Sequence, residues 1–197
     1  DISESKVNSL VLNIINEFKQ FYEMDKVVYE TSKEFISGLL GSDIASQKNP
    51  NIVFQNPNSS RISELHRDAP GNSFFEVVSW VPLVNCYKSK SFYILDKYQS
   101  KELLEKHKNK FFSSWKEFRN AAIEKSIKLE INYGSALFFW SGLLHGSVTN
   151  KTNESRWSFN VRYKNLFAPS GMKDPLAFYR VFKKSPITEL ACEEIKK

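Results

Sequence analysis

Cysteine and histidine are scarce in this chain: of its 197 residues only two are Cys, at 86 and 192, and three are His. Two distant cysteines give neither a disulfide framework nor the paired spacing of a structural zinc site, so a reducing compartment, the cytoplasm, is expected. No apolar run approaches the roughly 20 residues needed to cross a bilayer as a helix, and the opening DISESKVNSL is too polar and acidic for a secretory signal. Internal repeats, low-complexity tracts and recognisable linkers are also missing. That leaves a single domain over 1–197, long enough for a real core.

Aromatic residues are plentiful. Sixteen Phe, eight Tyr and four Trp make an aromatic-rich core the expectation. Net charge is +6, and nine Lys or Arg against four Glu between Lys97 and Lys128 supply most of it. A solvated helical face explains such a run most simply. Attraction of an anionic substrate or partner is the sharper reading. Nucleic acid is disfavoured, because no recognition motif accompanies the charge.

Residues 1–45 are expected to be helical and to form a buttress. Val7, Leu10, Val11, Ile14, Ile15 and Phe18 recur at helical spacing. Thr31-Ser32-Lys33-Glu34 has the form of a capping box, and Gly41 that of a stop. From about residue 51 the pattern turns to short β-rich segments, NIVFQ, RISELHRD, FFEVVSWVPLV and SFYIL. A charged helical insert follows over about 97–125, with Phe111, Trp115, Phe118 and Ala122 on one stripe. Strand character returns in KLEINY, SALFFW and RWSFNVRYKNLF, so the core spans 51–167. A loop-rich tail occupies 168–197. Helices followed by many strands suit a mainly β fold, a barrel or jelly roll buttressed by helices.

Two of the three histidines fall in a pattern with chemical meaning. His66 and Asp68, two apart on an extended segment, point to one side, while Arg67 points away. Imidazole, carboxylate and a second imidazole can occupy one face of an iron(II) ion and leave the other open. His145, after the apolar YGSALFFWSGLL and before Gly146, is the candidate third ligand. A His-X-Asp pair alone is more often a hydrogen-bonded polar pair, and His107 reads as a surface residue. The third element is Arg156, eleven positions after His145. In RWSFNVRY, Arg156, Ser158, Asn160 and Arg162 share one strand face and Trp157, Phe159, Val161 and Tyr163 the other. With the apolar face packed on helices, the polar face lines a lumen, where an unpaired cation is costly. A dicarboxylate would satisfy Arg156 through a two-point fork, with Ser158 adding a donor. An internal salt bridge to a residue such as Glu76 is the alternative. Arg162 could meet an anionic substrate or pair internally.

With these residues in place, the sequence resembles the iron(II)- and 2-oxoglutarate-dependent dioxygenases, specifically the phytanoyl-CoA dioxygenase-like branch. HRD, GSALFF and HGSVTNKTNESRWS carry the likeness, which spans roughly 51–167. The resemblance implies a double-stranded β-helix (a cupin-like jelly roll) with the metal inside. His66, Asp68 and His145 would hold Fe(II), and Arg156 with Ser158 would hold the distal carboxylate of 2-oxoglutarate. Ser147 would lie near that cosubstrate, and Gln55 and Asn85 are further contacts. O2 would complete the reaction, hydroxylation of a substrate C–H bond by default. SFYILDKYQS stands where many relatives carry Pro-Gly-Ser-His, which leaves the substrate open. The wording FFEVVSWVPLVNCYKSKSFYIL is most similar to small oxygenases of bacterial carbohydrate and aminoglycoside clusters, so a small polar metabolite such as a sugar or sugar conjugate is expected.

Three rivals stand beside it: a cupin-type metalloenzyme that does not use 2-oxoglutarate, a non-catalytic sugar-binding jelly roll, and a nucleic-acid hydroxylase using the basic segment. Asn-X-Ser/Thr sequons at Asn58, Asn150 and Asn153 read as coincidence in a cytoplasmic protein.

Overall fold

A computed structural model describes residues 4–21, 23–59 and 62–195. Two helices come first, α1 (Glu4–Phe21) and α2 (Met24–Leu40). Gly41 ends α2 at a φ of 83°, its N–H bonded to the Ser37 carbonyl. The Thr31–Glu34 box does not open α2 but lies inside it, where two helical stretches meet. It sits at a kink within α2, where Ser32 leaves helical geometry and the Thr31 hydroxyl donates back to the Val27 and Val28 carbonyls. Local hydroxyl bonds of this kind compete with the helical ladder.

The larger sheet contains β1 (Ile44–Gln47), β2 (Asn51–Gln55), β3 (Glu76–Pro82), β6 (Leu137–Trp140), β8 (Arg156–Asn165) and β9 (Tyr179–Lys183), all antiparallel. β8 is its spine. It pairs with β3 along one edge and with β2 and then β1 along the other. The smaller sheet is β5 (Ile127–Lys128), β4 (Phe92–Ile94) and β7 (His145–Ser147). The expected insert is two helices, α3 (Lys97–Lys108) and α4 (Trp115–Lys125). Asp96 and Gln99 cap α3 reciprocally, and Ser114 caps α4. Two short helices close the chain, α5 (Pro175–Phe178) and α6 (Pro186–Glu194).

The architecture is the expected one, antiparallel β with flanking helices in the jelly-roll manner. The two sheets face one another and do not close into a barrel. Strand alternation explains the layering. On β8, Phe159, Val161 and Tyr163 pack outward on Met24, Val28, Tyr29 and Ile36 of α2. Each such buried side chain contributes roughly 1.5–3 kcal/mol. The outer face of the smaller sheet packs Tyr93, Leu95 and Leu144 on Leu103 of α3 and Phe118 and Ala122 of α4. Between the sheets lie Val78, Trp80, Cys86, Phe92, Ile94 and Phe139. The even-numbered face of β8, from Arg156 to Lys164, points into that space.

Several expectations are corrected. The described part of RISELHRD, residues 62–68, forms no strand: His66 makes an isolated bridge, and the chain bends at Asp68. Of KLEINY only Lys128 lies in a strand, the two-residue β5, and Ile131 makes an isolated bridge to Cys86. Phe111 lies outside the helices and is exposed, and Trp115 is half exposed. The core is wider than 51–167, because β1 begins at Ile44 and β9, within the expected loop-rich tail, pairs with it. Its alternation was hidden by exposed Val181, which sits on the solvent face.

Candidate metal centre

Backbone pairing brings the two halves of the site together. The His66 N–H donates to the His145 carbonyl at 2.9 Å, and the His145 N–H returns to the His66 carbonyl at 2.8 Å. The bridge sets the imidazole centroids 4.2 Å apart. Gly146 permits the approach. A Cβ there would lie 2.7 Å from the Tyr93 hydroxyl and 3.0 Å from the Ser63 carbonyl oxygen. This close packing requires the glycine.

Each donor is oriented by a partner. His66 Nδ1 lies 2.7 Å from the Glu64 carbonyl, and His145 Nδ1 lies 2.9 Å from the Leu143 carbonyl. A ring N–H donated to a carbonyl leaves Nε2 with its lone pair for a metal. Asp68 Oδ2 accepts from Arg162 Nε at 3.1 Å and Nη2 at 2.8 Å. Oδ1 faces His66 Nε2 at 3.7 Å. One candidate ligand atom from each of the three residues falls within 4.8 Å of the others. Burial, and then the neighbouring His66, push His145 down to about 4, so its imidazole is neutral at neutral pH, the state a metal needs. Phe139 and Phe92 wall His145 at centroid distances of 5.0 and 6.3 Å. The His66 side chain is 41% exposed and Asp68 only 8%, so the site opens on the His66 side. Two imidazoles and one carboxylate at this spacing fit a divalent iron.

Arg162 is fully engaged by protein. Besides Asp68 it donates through Nη1 to Gln47 Oε1 and Asn160 Oδ1, both at 3.0 Å. Of the two roles open to it, internal pairing is the one the geometry contains. Sequence reasoning missed Gln47, which no motif marks.

Arg156 is different. It is 4% exposed, and its one hydrogen bond runs from Nη1 to the Ser91 carbonyl at 3.1 Å. Among the described residues Nε and the buried Ser158 hydroxyl have no partner. Among the described residues no carboxylate lies within 4 Å of the guanidinium. Burial depresses its basicity. The proposed salt bridge to Glu76 does not form. Glu76 sits at the far end of β3 in register with Lys164, and accepts from the Tyr179 hydroxyl. A buried cation lacking an anion is what a dicarboxylate site needs.

Its placement also fits. Ser91 precedes Phe92, the register partner of Ser147, and Ser147 is two residues, roughly 7 Å, along β7 from His145. Ser147 is buried, and its hydroxyl accepts from the Ser63 N–H at 2.8 Å. Gln55 is the register partner of Arg156 and donates to the Val148 carbonyl. Asn85 is exposed and bonds the Tyr133 N–H instead, away from the lumen. Asn150 is wholly buried and braces its turn through the Glu154 carbonyl, so that sequon presents no acceptor.

The chain is similar to known proteins in part of its sequence and in its fold. Residues 94–158 match the family model for phytanoyl-CoA dioxygenase (PhyH), a stretch that holds His145, Arg156 and Ser158 but not His66 or Asp68. HygX from Streptomyces hygroscopicus, solved with nickel and 2-oxoglutarate bound, superposes with a TM-score of 0.58 at 10% identity, over 84% of this chain and 80% of that one. The apo form of the non-heme monooxygenase ThoJ gives a TM-score of 0.52 at 15% identity, covering 83% of this chain. The present chain spans only 66% of ThoJ. No curated protein matches.

The chain is thus similar over residues 94–158 to the phytanoyl-CoA dioxygenase family, and it shares the fold of these two solved structures. By their chemistry, His66, Asp68 and His145 would suit a divalent metal, and the buried Arg156 and Ser158 would suit a carboxylate. No helix among the described residues is long and apolar enough to cross a membrane.

Proposed function

We propose that the protein is an iron(II)- and 2-oxoglutarate-dependent oxygenase that hydroxylates a small polar metabolite, a sugar or sugar conjugate being the class its resemblance favours. The observation that carries the proposal is the pairing of a three-ligand cluster with a buried, anion-free Arg156 in the same lumen. Iron(II), 2-oxoglutarate and O2, when bound, supply the oxidising power, the cosubstrate leaving as succinate and carbon dioxide.

The chain's own residues do the rest. The Glu64 and Leu143 carbonyls hold the imidazoles in the tautomer that ligates. Arg162 fixes the Asp68 carboxylate with one oxygen turned to the metal. Arg156 and Ser158 anchor the remote carboxylate and thereby orient the reacting end. Phe92 and Phe139 keep water from the His145 side, which strengthens every polar contact there. An enzyme of this fold that did not use 2-oxoglutarate would have no need of an unpaired buried guanidinium.

Anaerobic loading with iron(II) and 2-oxoglutarate, followed by air and a metabolite screen, tests the proposal. Succinate should form, and Asp68→Ala should lose both metal binding and turnover. Full activity in Asp68→Ala, or no succinate from the loaded protein, would refute it.

A further inference from the structure

Beside the metal-bearing segment runs a groove of about 470 Å3 between α3 and the turn that leads into β7. Arg67, flanked by His66 and Asp68, enters it from one side, and Lys97, Lys101 and Lys108 line the other. These lysines lie at i, i+4 and i+11, one stripe of α3. Trp140 forms a wall. Its indole N–H is tied to the Phe74 carbonyl at 2.7 Å. Its ring is held over Gly142, where a Cβ would come within 2.5 Å. It is 40% exposed, a fixed aromatic face open to solvent.

The charges of α3 are arranged unevenly. Away from the groove, Lys106 and Lys125 both bond to Glu102, at 2.6 and 2.9 Å. Within it the single acid is Glu105, which lies 3.9 Å from Lys101. Arg67, Lys97 and Lys108 have no carboxylate within 4 Å among the described residues. The groove that borders the metal ligands therefore carries four cations, Arg67, Lys97, Lys101 and Lys108, against the one acid Glu105. Arg67 is held in place, its guanidinium 5.4 Å from the Phe74 ring centroid.

We infer that this groove binds the phosphate of a phosphorylated small-molecule substrate, Trp140 stacking on the ring or sugar that joins the phosphate to the reacting carbon. The inference rests on the oxygenase reading and adds the substrate's chemical class. Phosphate suits the residues. Its several oxygens can meet a guanidinium and two ammonium groups at once, and no metal is required to hold it.

The test is calorimetric titration of inorganic pyrophosphate into the full chain, with and without Ni(II), at low and moderate salt. Binding independent of Ni(II) is expected. It should weaken about tenfold or more in Lys97→Gln/Lys101→Gln and stay unchanged in Lys106→Gln/Lys125→Gln. Equal losses in the two double variants, or no binding, overturn the inference in favour of a solvated face. Binding that requires Ni(II) places the anion on the metal and overturns it too. Tighter capture of a single-stranded oligonucleotide, lost through the same two lysines, replaces it with a nucleic-acid site. Succinate formation is followed separately: a chain that binds pyrophosphate through these lysines yet forms no succinate keeps the groove and refutes the oxygenase reading.

Discussion

Replacing Arg156 by methionine separates a ligand-binding cation from a structural one, because the two readings give opposite signs. Methionine keeps an unbranched side chain of similar reach and removes the charge. In the protein without cosubstrate, Arg156 is 4% exposed with one hydrogen bond, to Ser91, and no carboxylate. That bond contributes about 1.5–3 kcal/mol. Against it stands the effective desolvation penalty of the guanidinium, several kcal/mol. The two nearly cancel, so Arg156→Met should leave the apo protein as stable as before or up to about 2 kcal/mol more stable. With cosubstrate the balance reverses. Charge-assisted bonds from Nε and the remaining guanidinium N–H groups to a carboxylate are lost, worth about 1.5–3 kcal/mol, or roughly 10- to 150-fold in the dissociation constant. The assays are urea unfolding of the apo protein and calorimetric 2-oxoglutarate titration of the Ni(II) form, in which no turnover complicates the reading. Loss of more than about 3 kcal/mol of apo stability, with cosubstrate affinity unchanged, would make Arg156 a structural residue and refute the argument.

Arg162→Lys keeps a positive charge but not the fork that grips Asp68 and Gln47. Ni(II) affinity should fall about 10- to 100-fold, measured by competition with a chelator, and an unchanged affinity would deny Arg162 its positioning role. Glu76 tests linkage. Burial, the largest effect on it, raises its carboxyl to about 7 from a usual 4.5. Between those values the folded protein holds a proton that the unfolded chain has released. Stability due to this group is therefore present at low pH and falls as pH rises from about 4.5 through 7, by up to about 3 kcal/mol. Glu76→Gln, which retains an acceptor for Tyr179, should flatten that part of the apo unfolding profile, and an undiminished slope would sink the assignment.

Much of the site is legible in the chain itself. The alternation in RWSFNVRY places Arg156 with Ser158, Asn160 and Arg162 on one face and Phe159 with Val161 and Tyr163 on the other, because strand geometry allows nothing else. The scarcity of histidine makes His66 and His145 an obvious pair. The helical stripe from Val7 to Phe18 likewise marks α1, and Gly41 marks the end of α2. Other features depend on residues far apart in sequence. His66 and Asp68 converge through a single backbone bridge to His145, not through strand alternation, and only the fold supplies that bridge. Whether Arg162 meets substrate or Asp68 turns on where the bend at Asp68 falls. The choice between a salt bridge and an unpaired Arg156 turns on Glu76 lying at the opposite end of β3. Sequence thus determined which side chains share a face, since that is set by local backbone period. Tertiary structure alone decided which faces meet, since each meeting is a distance between segments that the local period does not encode.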